Sequence, residues 1–87
     1  MKPWYELEIK SVQDAIYILR RARVWKRDTA ASLARYIGKS KWTIYLWEQG
    51  RYIKKPNLTV EQEDRLLEYV KEAQRNAKEF EEKRAAL

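Results

Sequence analysis

The 87-residue chain contains no cysteine and no histidine. Without cysteine there is neither a disulfide framework nor a thiolate zinc site. Without histidine the usual general base and the commonest metal ligand are both missing. An enzyme is hard to build from what remains, because Glu61, Glu63, Glu79 and Glu81 fall on a predicted solvated helix with no base or metal cluster to join. No catalytic residue, metal, cofactor or small-molecule substrate is therefore expected. Glycine and proline occur only twice each, so each marks a place where the chain turns or stops. No apolar run approaches the roughly 18 residues of a membrane span, and no signal-peptide pattern opens the chain. The expectation is a soluble cytoplasmic protein with no membrane partner, built as one small domain with little interior for a cavity.

Positive charge is what the chain has in excess, and it is unevenly placed. Residues 1–56 hold 13 Lys and Arg against 5 Asp and Glu, whereas residues 57–87 hold 6 against 8. A basic front half with a near-neutral tail is the footprint of a protein that meets a polyanion with one end. The abundance of Glu, Lys, Arg, Ile, Tyr and Trp points to a thermophilic source.

In Trp4–Lys10, Tyr5, Leu7 and Ile9 alternate with charged residues, a period of two that predicts a short half-buried strand or an extended arm. Ser11 is placed to cap a helix, with Asp14 three residues on completing a capping box. Val12, Ala15, Ile16, Leu19 and Ala22 then recur at helical spacing to about Val24, and Arg20, Arg21 and Arg23 gather at the C-terminal end. Residues 25–28 connect to a second helix capped by Thr29, with Leu33, Ala34 and Ile37 on its inner face. Gly38 ends it, since the residue just past a helix commonly needs a positive φ. Ser40 caps a third helix in which Ile44 and Trp47 point inward, and Gly50 closes it. Two short helices, a glycine turn and a small residue (Ala34) at the crossing are the requirements of a helix-turn-helix.

Beyond a basic loop, Thr59 and Gln62 form a capping box for a last helix. On it Leu66, Val70, Ala73, Ala77 and Phe80 follow a 4-3 spacing, which predicts a dimerising seam or, alternatively, a helix lying along its own domain. The expected fold class is thus mostly α. A compact helical domain over residues 11–70 contains the helix-turn-helix, a strand or arm precedes it at 1–10, and residues 71–87 extend the long last helix.

The run L-A-R-Y-I-G-K-S-K-W-T-I-Y-L-W-E-Q-G-R, from Leu33 to Arg51, resembles the helix-turn-helix of lambda-repressor-like, Cro-like regulators. Leu33, Ala34, Gly38, Ser40, Thr43, Ile44, Trp47, Glu48 and Gly50 match that family's pattern in residue type and spacing. The resemblance covers roughly residues 11–70. Ala30 stands where the family often has a phosphate-gripping Gln, Lys39 replaces an apolar residue, and the loop before Pro56 is longer. The segment Y-I-K-K-P-N-L-T-V within residues 51–60 also reads as a short hairpin, which would make a winged helix.

What the resemblance implies is a recognition helix, at about 40–48, in the major groove of double-stranded DNA. The positions of Lys41, Trp42, Tyr45 and Leu46 reach toward bases in that family, and helical geometry turns them outward or to the flank once Ile44 and Trp47 face in. Phosphate contacts fall by resemblance on Thr29, Ser40, Thr43, Gln49 and Arg51, while charge and loop placement add Lys39, Lys54 and Lys55. Glu48 is expected to hold backbone or an arginine, because phosphate repels a carboxylate. The implied function is a sequence-specific transcriptional regulator acting as a homodimer on a two-fold site, of the stand-alone kind common in viruses and plasmids. Two other readings stay open: an architectural, packaging or recombination accessory protein, and an antitoxin-like protein-interaction module.

Overall fold

A computed structural model describes residues 2–50 and 57–86. Among them are five α-helices, α1 (Val12–Tyr17), α2 (Leu19–Trp25), α3 (Ala30–Ile37), α4 (Lys41–Glu48) and α5 (Val60–Ala85), preceded by a single 3-10 turn at Trp4–Glu6. The fold is the mostly α one expected. No helix among the described residues is long and apolar enough to cross a membrane.

The helix starts lie where short polar side chains can accept the orphan amides of a first turn. Ser11 Oγ accepts from the Asp14 amide, and the Asp14 carboxylate accepts from the Ser11 amide in return. Thr29 caps α3 through the Ser32 amide, Ser40 caps α4 through the Thr43 amide, and Thr59 and Gln62 form a reciprocal box on α5. Ile16, Ile18, Leu19, Leu33, Ile37, Ile44, Leu66 and Val70 are fully buried and form one core. All five helices contribute to it, so α4 is fixed by contacts with α1, α2 and α3 together.

Three expectations need correction. The segment Trp4–Lys10 is not a strand. After the 3-10 turn it runs without regular structure, with Leu7 and Ile9 packed against the core and Glu8 and Lys10 exposed. A period of two reports that one side of an extended segment is covered, and helices cover this one. Two of its carbonyls are held by a side chain rather than a ladder, since Gln74 Nε2 donates to the carbonyls of Trp4 and Leu7 at 2.9 and 2.8 Å.

The helix expected from Val12 to Val24 is interrupted at Ile18, whose φ and ψ of −109° and 9° leave the helical region. There the Ile18 amide turns back to the Ala15 carbonyl at 3.3 Å, a tightened step at a β-branched residue that regular helix geometry disfavours. The proposed dimer seam on α5 is the third. Leu66, Val70, Ala73 and Ala77 are buried in their own domain, and Phe80 packs edge-on against Trp25 at 5.5 Å. A 4-3 spacing specifies an apolar stripe but not which partner covers it, and here the same chain does.

Candidate nucleic-acid interface

Two turns bracket α3 and set the direction of α4. At the first, the α2 end reverses with Arg27 at φ 55°. The Arg27 amide donates to the Val24 carbonyl and the Asp28 amide to the Arg23 carbonyl, at 3.0 and 3.1 Å, the paired pattern of a Schellman end. At the second, Gly38 takes φ 90° and the Lys39 amide donates to the Ala34 carbonyl at 2.9 Å. Gln62 Nε2 donates to the Gly38 carbonyl at 2.9 Å and Arg65 Nη1 to the Tyr36 carbonyl at 3.1 Å. Thus α5 holds the α3–α4 turn from behind.

The far end of α4 is held by a charge pair. Arg23 donates from Nε and Nη2 to the two carboxylate oxygens of Glu48 at 2.7 and 2.8 Å, and from Nη1 to the Asp28 carbonyl at 3.0 Å. The Glu48 side chain is only 6% exposed. Its hydrogen bond raises the Arg23 guanidinium above an already high ordinary value. Asp28 is itself held, accepting from the Tyr69 hydroxyl at 3.0 Å and from the Thr29 amide at 2.9 Å. Burial, reinforced by the bond to Asp28, pushes the Tyr69 phenol well above its usual range. The expected structural role of Glu48 is what the geometry shows, and Arg23 is the arginine it holds.

With Ile44 and Trp47 buried and Glu48 engaged, the residues left outward are Lys41, Trp42 and Tyr45 on α4 and Gln49 at its C-terminal cap, with Leu46 half-buried at the flank. Trp42 is 68% and Tyr45 38% exposed. The Lys41 ammonium lies 5.7 Å from the Tyr45 ring centroid, within reach of a cation–π contact. Glu48 is the only carboxylate between Thr29 and Gly50, and it faces inward. The exposed charges of this unit, on Arg35 and Lys41, are therefore all positive, and Lys39 beside them is half-buried.

The expected phosphate-contacting groups divide by placement. Ser40 and Thr43 stand together at the α4 start with their hydroxyls 3.0 Å apart, and Thr29 stands at the α3 start. Lys39 donates to the Asn57 carbonyl at 2.6 Å, so one of its three donors already serves the loop that leads into α5. Arg51, Lys54, Lys55 and the alternative wing lie outside the described residues. Sequence reasoning did not single out Arg35, exposed on α3. Nor did it find Tyr69, which lies 41 residues from Asp28, a separation over which no local signal operates.

The chain matches no family model, no curated protein and no solved structure.

Proposed function

We propose that the protein binds double-stranded DNA in a sequence-dependent way by laying α4 in the major groove, and that it regulates transcription by doing so. One observation carries this reading: α4 is fixed by three other helices while Lys41 and Trp42, with the part-covered Tyr45 beside them, form its outward face. Trp42 and Tyr45 side by side with Lys41 give that face an apolar surface rimmed by positive charge, which a partner can cover. The size of a helix suits the major groove, where base edges carry a distinguishable code. Lys41 can donate to guanine O6 or N7, and the rings of Trp42 and Tyr45 can cover thymine methyl groups. The α3 and α4 starts, each capped by a hydroxyl, offer backbone amides and hydroxyls to phosphates, which set position rather than sequence.

The resemblance adds a homodimer on a two-fold site. The α5 stripe is used within one chain, so a second copy would meet the first through another surface.

Selection of random duplexes by the purified protein at moderate salt, followed by sequencing, tests the reading. An enriched motif is expected, and a two-fold protein gives an inverted repeat with half-sites about one helical turn apart. Trp42→Ala combined with Lys41→Ala should abolish enrichment while the helical signal and melting temperature hold. Retention of DNA with no motif would replace this reading with the architectural one. No retention at all would overturn both.

A further inference from the structure

Between Asp14 and Asp28 the chain has no carboxylate, yet it carries Arg20, Arg21, Arg23, Lys26 and Arg27. Two of these cations are used inside the fold, Arg23 on Glu48 and Lys26 on Glu72 at 3.3 Å. Arg20 and Arg21 are exposed and, among the described residues, have no carboxylate within ion-pair distance. They line an open groove with Trp4, Val24 and Trp25. A neighbouring groove shares Trp4 and Arg21 and adds Tyr17 and Lys2. Phe80 extends the apolar part, lying 5.5 Å from the Trp25 ring and remaining 52% exposed. Tyr17 and Val24 are more exposed still. This is a contiguous apolar surface with cations along it, and surfaces of that kind in small proteins mark interaction sites.

We propose that Trp4, Arg20, Arg21, Val24, Trp25 and Phe80 form a docking surface for an acidic amphipathic segment of another protein. Charge complementarity selects that occupant. An arginine fork pairs with a carboxylate through two parallel hydrogen bonds, and Lys2 in the neighbouring groove adds a third cation. A second copy of the chain fits poorly, because a two-fold contact would bring four arginines, Arg20 and Arg21 of each copy, into one interface. A nucleic-acid strand fits poorly too. Trp25 meets Trp4 at 56° and Phe80 at 67°, so no parallel ring platform is offered to bases, and Val24 has no π face.

The apolar part of the surface faces away from α4, while Arg20, one turn before Arg23 on α2, lies nearer to it. Arg23 and Trp25 are two positions apart on α2, about 200° around its axis. One side of α2 is fastened to α4 through Glu48, while Trp25 turns toward Trp4 and Phe80.

The four tryptophans make the test direct, since Trp4 and Trp25 lie on the surface, Trp42 on the outward face of α4 and Trp47 in the core. The 15N-labelled protein is titrated with a synthetic helical peptide carrying Leu on one face and Glu on the other, and with the same peptide bearing Lys for Glu. The Glu peptide should shift the indole N–H signals of Trp4 and Trp25 saturably and leave Trp42 and Trp47 in place. Arg20→Glu with Arg21→Glu should weaken that binding by about tenfold or more, and Val24→Asp should weaken it without touching either charge. The proposal is overturned if Trp4 and Trp25 do not respond, or respond equally to the Lys peptide. Movement of the same two signals on concentrating the protein alone would assign the surface to a second copy. Movement on adding random-sequence duplex would assign it to DNA, and either result overturns the proposal.

Discussion

The turns on either side of α3 reverse the chain with the same backbone device and support it in different ways. At Gly38 the left-handed residue is a glycine, which accepts φ 90° freely. The surrounding contacts, from Gln62 and Arg65, are exposed. At Arg27 the left-handed residue carries a side chain, which disfavours that region by about 1 kcal/mol or more. Here the neighbours are the part-buried Arg23, Glu48, Asp28 and Tyr69, joined by charge-assisted hydrogen bonds. One turn is made easy by its residue. The other is imposed by tertiary contacts, and those same contacts fasten the end of α4. Backbone conformation can thus be written locally or enforced from a distance, and the two kinds should fail differently.

The largest effect is expected where enforcement is removed. Glu48→Ala leaves the Arg23 guanidinium part-buried and without its counter-charge, which should destabilise the fold by about 3 kcal/mol. Urea unfolding checks this, and a loss below about 1 kcal/mol would show that water replaces the carboxylate. Replacing both partners with apolar residues, Arg23→Met with Glu48→Leu, should recover most of the loss, because the cost lies in the orphaned charge rather than the missing pair.

At the other turn, Gly38→Ala should destabilise by about 2 kcal/mol, combining the left-handed penalty with a steric one. A Cβ there would stand 3.3 Å from Gln62 Nε2. That amide cannot simply swing away, since its oxygen holds the Thr59 amide at 3.0 Å and its nitrogen the Gly38 carbonyl at 2.9 Å. Gln62→Ala in the Gly38→Ala background separates the two parts, relieving the contact but not the φ. Equal stability of Gly38→Ala and the parent would mean the turn is not left-handed in solution.

The same contrast explains what was legible in the sequence. Ser11, Thr29, Ser40 and Thr59 announce helix starts because capping is a local interaction spanning three residues, and all four cap as expected. Gly38 announced its turn because glycine is the local solution to a positive φ. Nothing announced Arg27, which takes a positive φ without being glycine, beside an Asp28 that Tyr69 holds from 41 residues away. The outward placement of Lys41, Trp42 and Tyr45 followed from the spacing of Ile44 and Trp47. The identity of the arginine on Glu48, 25 residues away, did not. Periodicity was true but incomplete at Leu7 and Ile9 and along Leu66 to Ala77. It identified covered faces without saying whether a strand, a second chain or the same domain covered them.

The enforced turn should also show in pH dependence. The Tyr69 phenol is raised above its ordinary value of about 10 by burial and by its bond to Asp28. Its contribution is therefore complete below about pH 10 and is lost as pH rises beyond that, when the unfolded chain releases the proton more readily. Tyr69→Phe removes the bond to the carboxylate and should lower stability by about 1.5 kcal/mol at neutral pH. The gap between parent and variant should stay constant to about pH 10 and narrow above it. A gap unchanged at pH 11 would mean that Tyr69 titrates as an exposed phenol.

The smallest effect has the opposite sign. Arg27 is exposed, and its φ of 55° is a conformation that glycine adopts without penalty. Relief of that penalty is opposed by the extra freedom glycine gives the unfolded chain, about 0.5 to 1 kcal/mol. Arg27→Gly should therefore stabilise by only about 0.5 kcal/mol, read as a higher urea midpoint at unchanged slope. Arg27→Ala is the discriminating control: it removes the same charge and stem but keeps the Cβ, so it should gain nothing. If both variants gained equally, charge crowding among the α2 arginines would be the cause. If Arg27→Gly alone gained, the strain is in the backbone, held there by the cluster around Asp28. In the Glu48→Ala background that gain should grow, because a turn no longer enforced from outside depends more on the residue that forms it.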